Sequence, residues 1–212
     1  MYLHNDVKHA QKNRLMYAKS ATTISNILEA AQALFLEKNY ADVTMTDIAG
    51  AAEVTKGALY HHFSGKEDLY LRMMHSYLEE MGSILREVAE ASKGTCRQRL
   101  HQFTLTFLQL PPQKRELMGL VRRDINIFKD PQREQLIRAY QAALPEQVES
   151  IIYEGIINGE IMAADARLLS WEHVAMVEVA LRPYAQRVLG SHQETADFVI
   201  RVFFDGVASK RD

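Results

Sequence analysis

Residues 43–69 read VTMTDIAGAAEVTKGALYHHFSGKEDL. Three helix starts stand in this stretch. Thr44 lies three residues before Asp47, and Ser64 three before Glu67, the spacing at which a hydroxyl and a carboxylate cap each other's backbone amides. Between them, Thr55 is placed to cap a helix that begins at Lys56. The spacing predicts short helices over about 46–52 and 56–62, joined by a tight turn, and a longer helix from Lys66 onward. Upstream, Ile24, Ile27, Leu28, Ala31, Leu34 and Phe35 recur at intervals of three and four, one face of a helix that starts near Ser20. Thr22 and Thr23 are its candidate N-caps, and Asn39 and Tyr40 end it, with Asn39 suited to a left-handed residue. A long helix followed by two short ones is the helix-turn-helix arrangement.

The apolar residues of this stretch divide it into an inner and an outer side. Ile48 and Ala49 can pack the second helix on Leu28 and Phe35, while Val54, Leu59 and Phe63 seat the third on the same core. Thr55, Lys56, Gly57, Tyr60 and His61 are left on the outer side. Thr55, Lys56 and Gly57 stand at a helix N-terminus, where free amides and the positive end of the dipole favour a phosphate or the electronegative major groove of DNA. Gly57 takes away a side chain where backbone must come close to DNA. Tyr60 offers a hydroxyl to a phosphate, and Lys66 can clamp another. Thr44 and Thr46, at the start of the second helix, complete the expected DNA-binding set. His61 and His62 point about 100° apart on a helix and cannot chelate one metal together; no metal or cofactor is expected.

These residues resemble the DNA-binding domain of the tetracycline-repressor (TetR) family. The resemblance rests on Val43–Ala49, Val54–Phe63 and Ser64–Leu69, covers about residues 20–70 closely, and extends as helix count beyond them. It implies a third helix lying in the major groove, with flanking contacts to the DNA backbone. Two features depart from the pattern. Glu53 stands where the turn often carries Gly; a left-handed Glu costs roughly 1 kcal/mol, so a differently built turn is expected. The segment is also acidic: Glu29, Glu37, Asp42, Asp47, Glu53, Glu67 and Asp68 face Lys38, Lys56, Lys66 and Arg72. Affinity for DNA must then come from focused contacts and helix termini.

Residues 1–19 hold His4, Lys8, His9, Lys12, Arg14 and Lys19 against Asp6 alone, and read either as a solvated tail or as a basic arm that touches DNA. The chain as a whole has 212 residues, a net charge of −2, and one cysteine, Cys96, which excludes an internal disulfide. No apolar run approaches the roughly 20 residues that span a membrane, and the first twenty residues lack a signal-peptide core. A soluble protein of a reducing cytoplasm is expected.

Beyond Lys66 the pattern stays helical. Leu69, Met73, Tyr77, Met81, Ile84, Leu85 and Val88 form one long stripe. Further helices are expected through Leu100–Phe107, Leu117–Phe128, Leu136–Ile152 (kinked or divided at Pro145), 166–189 and 192–208. The expected architecture is all-α: a basic arm over 1–19, a three-helix DNA-binding domain over 20–66, and a larger helical domain over 67–212, about nine helices in total. The resemblance implies that the larger domain senses a small-molecule effector and forms a homodimer through its last two helices. Val177, Leu181, Phe198, Val202 and Phe203 supply the apolar face for that dimer. Tyr77, Phe103, Phe107, Met118, Phe128, Tyr140, Trp171 and His173 are candidate linings of an effector pocket, with Arg122, Arg123 and Asp124 as further polar groups.

No phosphate loop, nucleophile elbow or His-Glu-x-x-His helix points to an enzyme. A ligand-free architectural DNA-binding protein and an all-α enzyme stay open as alternatives. The expected function is a cytoplasmic, homodimeric transcriptional regulator, a repressor released from a palindromic operator on double-stranded DNA by an effector, with no membrane partner.

Overall fold

Helix starts and stops decide the architecture, and every element among the described residues is helical. The computed structural model describes residues 3–206, with side chains from Ser20 onward. It divides into two units, 1–74 and 75–212, the division falling inside one long helix.

The N-terminal unit comprises α1 (Leu3–Glu37), a single 3-10 turn (Tyr40–Asp42), α2 (Met45–Ala51), α3 (Lys56–His62) and the first turns of α4 (Lys66–Ala91). Helix α1 starts far upstream of Ser20, so Thr22 and Thr23 are interior helical residues and not caps. Asn39 is extended (φ −69°, ψ 156°), not left-handed, because a 3-10 turn and not a glycine-type stop follows α1. Ile27, Ala31, Phe35, Val43, Ile48, Leu59, Leu69 and Tyr70 are fully buried. The larger aliphatic and aromatic side chains among them each contribute about 1.5–3 kcal/mol on burial, which compensates for α2 and α3 being too short to persist alone. The side chains of the basic segment over 1–19 lie outside the described residues.

The C-terminal unit adds α5 (Cys96–Gln109), α6 (Pro112–Asp124), a 3-10 turn (Ile125–Ile127), α7 (Gln132–Ala143), α8 (Pro145–Ile157), α9 (Ala166–Ala180), α10 (Pro183–Leu189) and α11 (His192–Asp205). Among the described residues eleven α-helices replace the expected nine or so, and prolines account for the difference. Pro145 opens α8 at a position where its missing amide is harmless, and so divides the helix expected over Leu136–Ile152. Pro183 does the same between α9 and α10. Helix α8 packs on α9, α7 and α5, and α11 packs on α5 and α9. At the α5–α8 crossing a Cβ on Gly155 would lie 2.7 Å from Cys96 Sγ, so only glycine admits this approach. Burial pushes the Cys96 thiol up to about 11, which keeps it protonated and inert.

Candidate nucleic-acid interface and C-terminal core

Thr44 caps α2 reciprocally. The Asp47 amide donates to Thr44 Oγ1 at 3.1 Å, and the Thr44 amide donates to Asp47 Oδ2 at 2.9 Å. The Thr44 hydroxyl and amide hold the Asp47 carboxyl below the usual carboxylate range. Thr55 caps α3 through the Ala58 amide at 3.1 Å. Ser64 departs from expectation. Its amide and hydroxyl donate to Asp68 Oδ2 at 2.8 and 3.1 Å, so the partner is four residues on and not Glu67.

The turn between α2 and α3 takes the ordinary form despite its glutamate. Glu53 has φ 54°; its amide donates to Gly50 O at 3.2 Å and the Val54 amide to Ala49 O at 3.0 Å. This is the paired bonding of a helix that ends in a left-handed residue. The expectation of a differently built turn is corrected: Glu53 adopts the left-handed conformation and bears its cost, because two bonds and the burial of α3 hold it there.

The inner side of α3 is Leu59, buried, followed by Phe63, 1% exposed at its C-cap. The outer side carries Thr55, Lys56, Gly57 and His61, all exposed, and Tyr60 at 54%. Thr44 and Thr46 are exposed on α2. A Cβ on Gly57 would meet nothing closer than Thr55 Oγ1 at 3.9 Å, so the fold itself makes no demand for glycine at this position.

Lys66 stands differently. Its ammonium donates to Tyr40 O at 2.8 Å, Val43 O at 2.9 Å and Ala41 O at 3.3 Å, and sits 4.4 Å from the centre of the Tyr40 ring. An ammonium has three protons, and three carbonyls take them. The lysine expected to clamp a phosphate is held here by internal carbonyls. Arg72, unassigned from sequence, caps the end of α3: it donates to His62 O at 3.3 Å, pairs with Asp68 at 2.9 Å and lies 5.3 Å from the Phe63 ring centre. Its position four residues after Asp68 was the available signal.

In the C-terminal unit the candidate pocket residues Tyr77, Phe103, Phe107, Met118, Phe128, Tyr140 and His173 are all buried, with Trp171 half-buried. The Tyr77 hydroxyl donates to Lys114 O. Tyr140 and Trp171 meet ring to ring at 6.0 Å. His173 Nε2 lies 2.9 Å from Thr104 Oγ1, with its ring edge against Phe203 at 5.2 Å. The Tyr140 hydroxyl and His173 Nδ1 are buried with no hydrogen-bond partner. Burial pushes His173 down to about 4, so its imidazole is neutral at pH 7. Arg123 pairs with the buried Asp124 at 2.8 Å and Arg122 with Glu178, which binds all three of these polar groups to neighbours.

Of the residues expected at a dimer face, Val177 is corrected: at 6% exposure it belongs to the protomer's own core. Phe203 is half-buried against His173, and Leu181 and Val202 are half-buried; Phe198 is exposed. The exposed apolar surface of the last three helices is instead Leu168, Val179, Tyr184, Val188 and Phe198.

Residues 27–73 match the model of the bacterial regulatory proteins, tetR family. The chain is 23% identical over 154 residues to the HTH-type transcriptional repressor DhaR of Mycobacterium sp., an alignment that covers 69% of this chain and 77% of that one. Its fold is shared with FadR from Bacillus subtilis, a transcriptional regulator solved in complex with stearoyl-CoA (TM-score 0.71, 19% identity, 87% of this chain and 99% of that one). It is shared also with the TetR family regulator PfmR from Thermus thermophilus (TM-score 0.70, 21% identity, 86% and 99%). The matched segment holds the capped α2, the Glu53 turn and the outward residues of α3, so over residues 27–73 this chain carries a DNA-binding domain of the tetR family of bacterial regulatory proteins.

Proposed function

We propose that this regulator is a homodimeric repressor that reads a palindromic DNA site through α3 and is released by a small molecule bound in its C-terminal unit. The observation that carries the DNA reading is the outer face of α3. Thr55, Lys56 and Gly57 are exposed at the N-terminus of α3 and Tyr60 and His61 in its last turn, while Leu59 and Phe63 are buried behind them. Thr44 and Thr46 flank that face from α2. Lys56 brings a charge to a phosphate, Tyr60 a hydroxyl, and Gly57 a close backbone approach.

A single α3 reads only a few base pairs, so a symmetric pair is needed, with half-sites about 34–36 Å apart. Leu168, Val179, Tyr184, Val188 and Phe198 supply an apolar face that a second copy would cover. The buried aromatic set around Tyr140, Trp171 and His173 is the proposed effector region. FadR, of the same fold, is bound to stearoyl-CoA, which makes a long-chain acyl-CoA the first effector to try. Release requires the effector to favour a state in which the two α3 helices no longer fit adjacent grooves.

Selection from random duplexes with the full chain tests this reading. Enrichment of one inverted repeat, protected as a single footprint, is the expected result. Binding that follows only DNA length, with no enriched sequence, would favour an architectural protein.

A further inference from the structure

The helix-turn-helix segment is closed on itself by one side chain. The chain enters α2 at Val43 and returns to α4 at Lys66, and the Lys66 ammonium donates to Val43 O at 2.9 Å, to Tyr40 O at 2.8 Å and to Ala41 O at 3.3 Å. The Tyr40 ring beneath the ammonium is itself held, stacked on Phe35 at 5.8 Å and edge-on to Tyr70 at 5.2 Å. The three carbonyls belong to the 3-10 turn and the residue just before the α2 cap, Thr44. Their position decides where α2 starts. The Glu53 turn then carries that placement to α3.

We propose that Lys66 is a positioning residue for DNA recognition: it touches no phosphate, and acts by fixing the entry to α2 against the start of α4. The proposal rests on the DNA reading above. Its chemistry is specific to an ammonium. Three donors diverge from one nitrogen and meet three carbonyls at one point. A guanidinium is planar and spreads its donors over three nitrogens, so arginine cannot reproduce this convergence, although it is the better phosphate ligand.

Lys66→Arg therefore separates the two roles. The test uses the full chain and a duplex enriched from random DNA by the wild-type protein, and compares Lys66→Arg with Lys66→Gln. Positioning predicts that both variants bind about tenfold more weakly. It also predicts that Lys66→Arg keeps the wild-type salt slope and that amides 43–48 exchange faster in the free protein. Wild-type affinity in Lys66→Arg, with a slope lower by about one in Lys66→Gln, would restore the phosphate contact and overturn the proposal. A lowered melting temperature with unchanged affinity well below it would reduce Lys66 to a stabilising residue and overturn it too. Loss of folded protein in both variants would do the same, since the clamp would then serve the whole fold. Failure of the wild-type chain to enrich any duplex would instead sink the DNA reading on which the proposal stands.

Discussion

The two units of this chain are held together by bonds of different reach. In the N-terminal unit the helix caps find partners close by in sequence, Thr44 with Asp47, Thr55 with Ala58, Ser64 with Asp68 and Arg72 with Asp68, and the Lys66 clamp is the longer tie, spanning 23 to 26 residues. The C-terminal unit has local caps too, at Thr95, Asp165 and Ser191, and adds polar ties between distant helices: Arg97 with Asp205 at 2.6 Å, His101 with Asp197 at 2.7 Å, Arg99 with Glu154. That unit also leaves two buried polar atoms, on Tyr140 and His173, without a partner. Local capping sets the ends and the register of short helices, as a reading surface of fixed shape requires. Long-range apolar packing can close around varied contents, and orphan polar atoms are what a closed, finished core would be expected to avoid.

The largest expected effect comes from a charge on the exposed apolar face of α9. Val179→Asp, at a position 66% exposed, should leave a folded monomer that binds its DNA site about a hundredfold more weakly, through loss of the second half-site. Val177→Asp, two residues away and 6% exposed, should prevent folding altogether. Light scattering and circular dichroism distinguish the two; a folded dimer from Val179→Asp would remove this face from the assembly.

His173 gives the next effect. Its folded value of about 4 lies below the ordinary 6.5, so the unfolded chain binds the extra proton and stability falls as pH drops through that window. Between pH 7 and 5 the wild type should lose roughly 2 kcal/mol through this one group. His173→Leu should lose correspondingly less. Equal acid sensitivity in the two proteins, followed by chemical denaturation, would show that His173 is not the group responsible.

On α3, Tyr60→Ala and Lys56→Ala should each weaken DNA binding by roughly tenfold without changing the melting temperature, and Lys56→Ala should lower the salt slope by about one. If neither variant differs from wild type at matched salt, the outer side of α3 does not face DNA. The smallest effect is a gain. Glu53→Gly relieves the left-handed residue and should stabilise the chain by about 1 kcal/mol, read as a higher denaturation midpoint. No gain would mean that the Glu53 side chain makes up for its backbone.

The same difference in reach explains what could be read from sequence. Caps act over three or four residues, so the starts of α2 and α3 and the outward face of α3 were legible in residues 43–63. Lys66 was not, because its carbonyl partners lie 23 to 26 residues upstream and nothing local marks them. Val177 and Val179 look alike in sequence, and only the packing of α9 on α8 and α11 separates core from surface. Arg122, a plausible polar lining, is taken up by Glu178, a pairing that depends on where α9 lies, while Asp124 is held by its neighbour Arg123.

The pairing of α5 with α11 has a consequence for the order in which the chain becomes structured. Arg97 and Asp205 are 108 residues apart, whereas the Lys66 clamp spans 26. Contacts of short span close early, and those of long span await both of their elements. On the ribosome the DNA-reading segment can therefore complete its clamp soon after α4 emerges. Helix α5, by contrast, is met first by α8 and keeps the face that packs on α11 uncovered until α11 has followed it out. The C-terminal unit is thus the part of a nascent chain most exposed to aggregation or to chaperone capture.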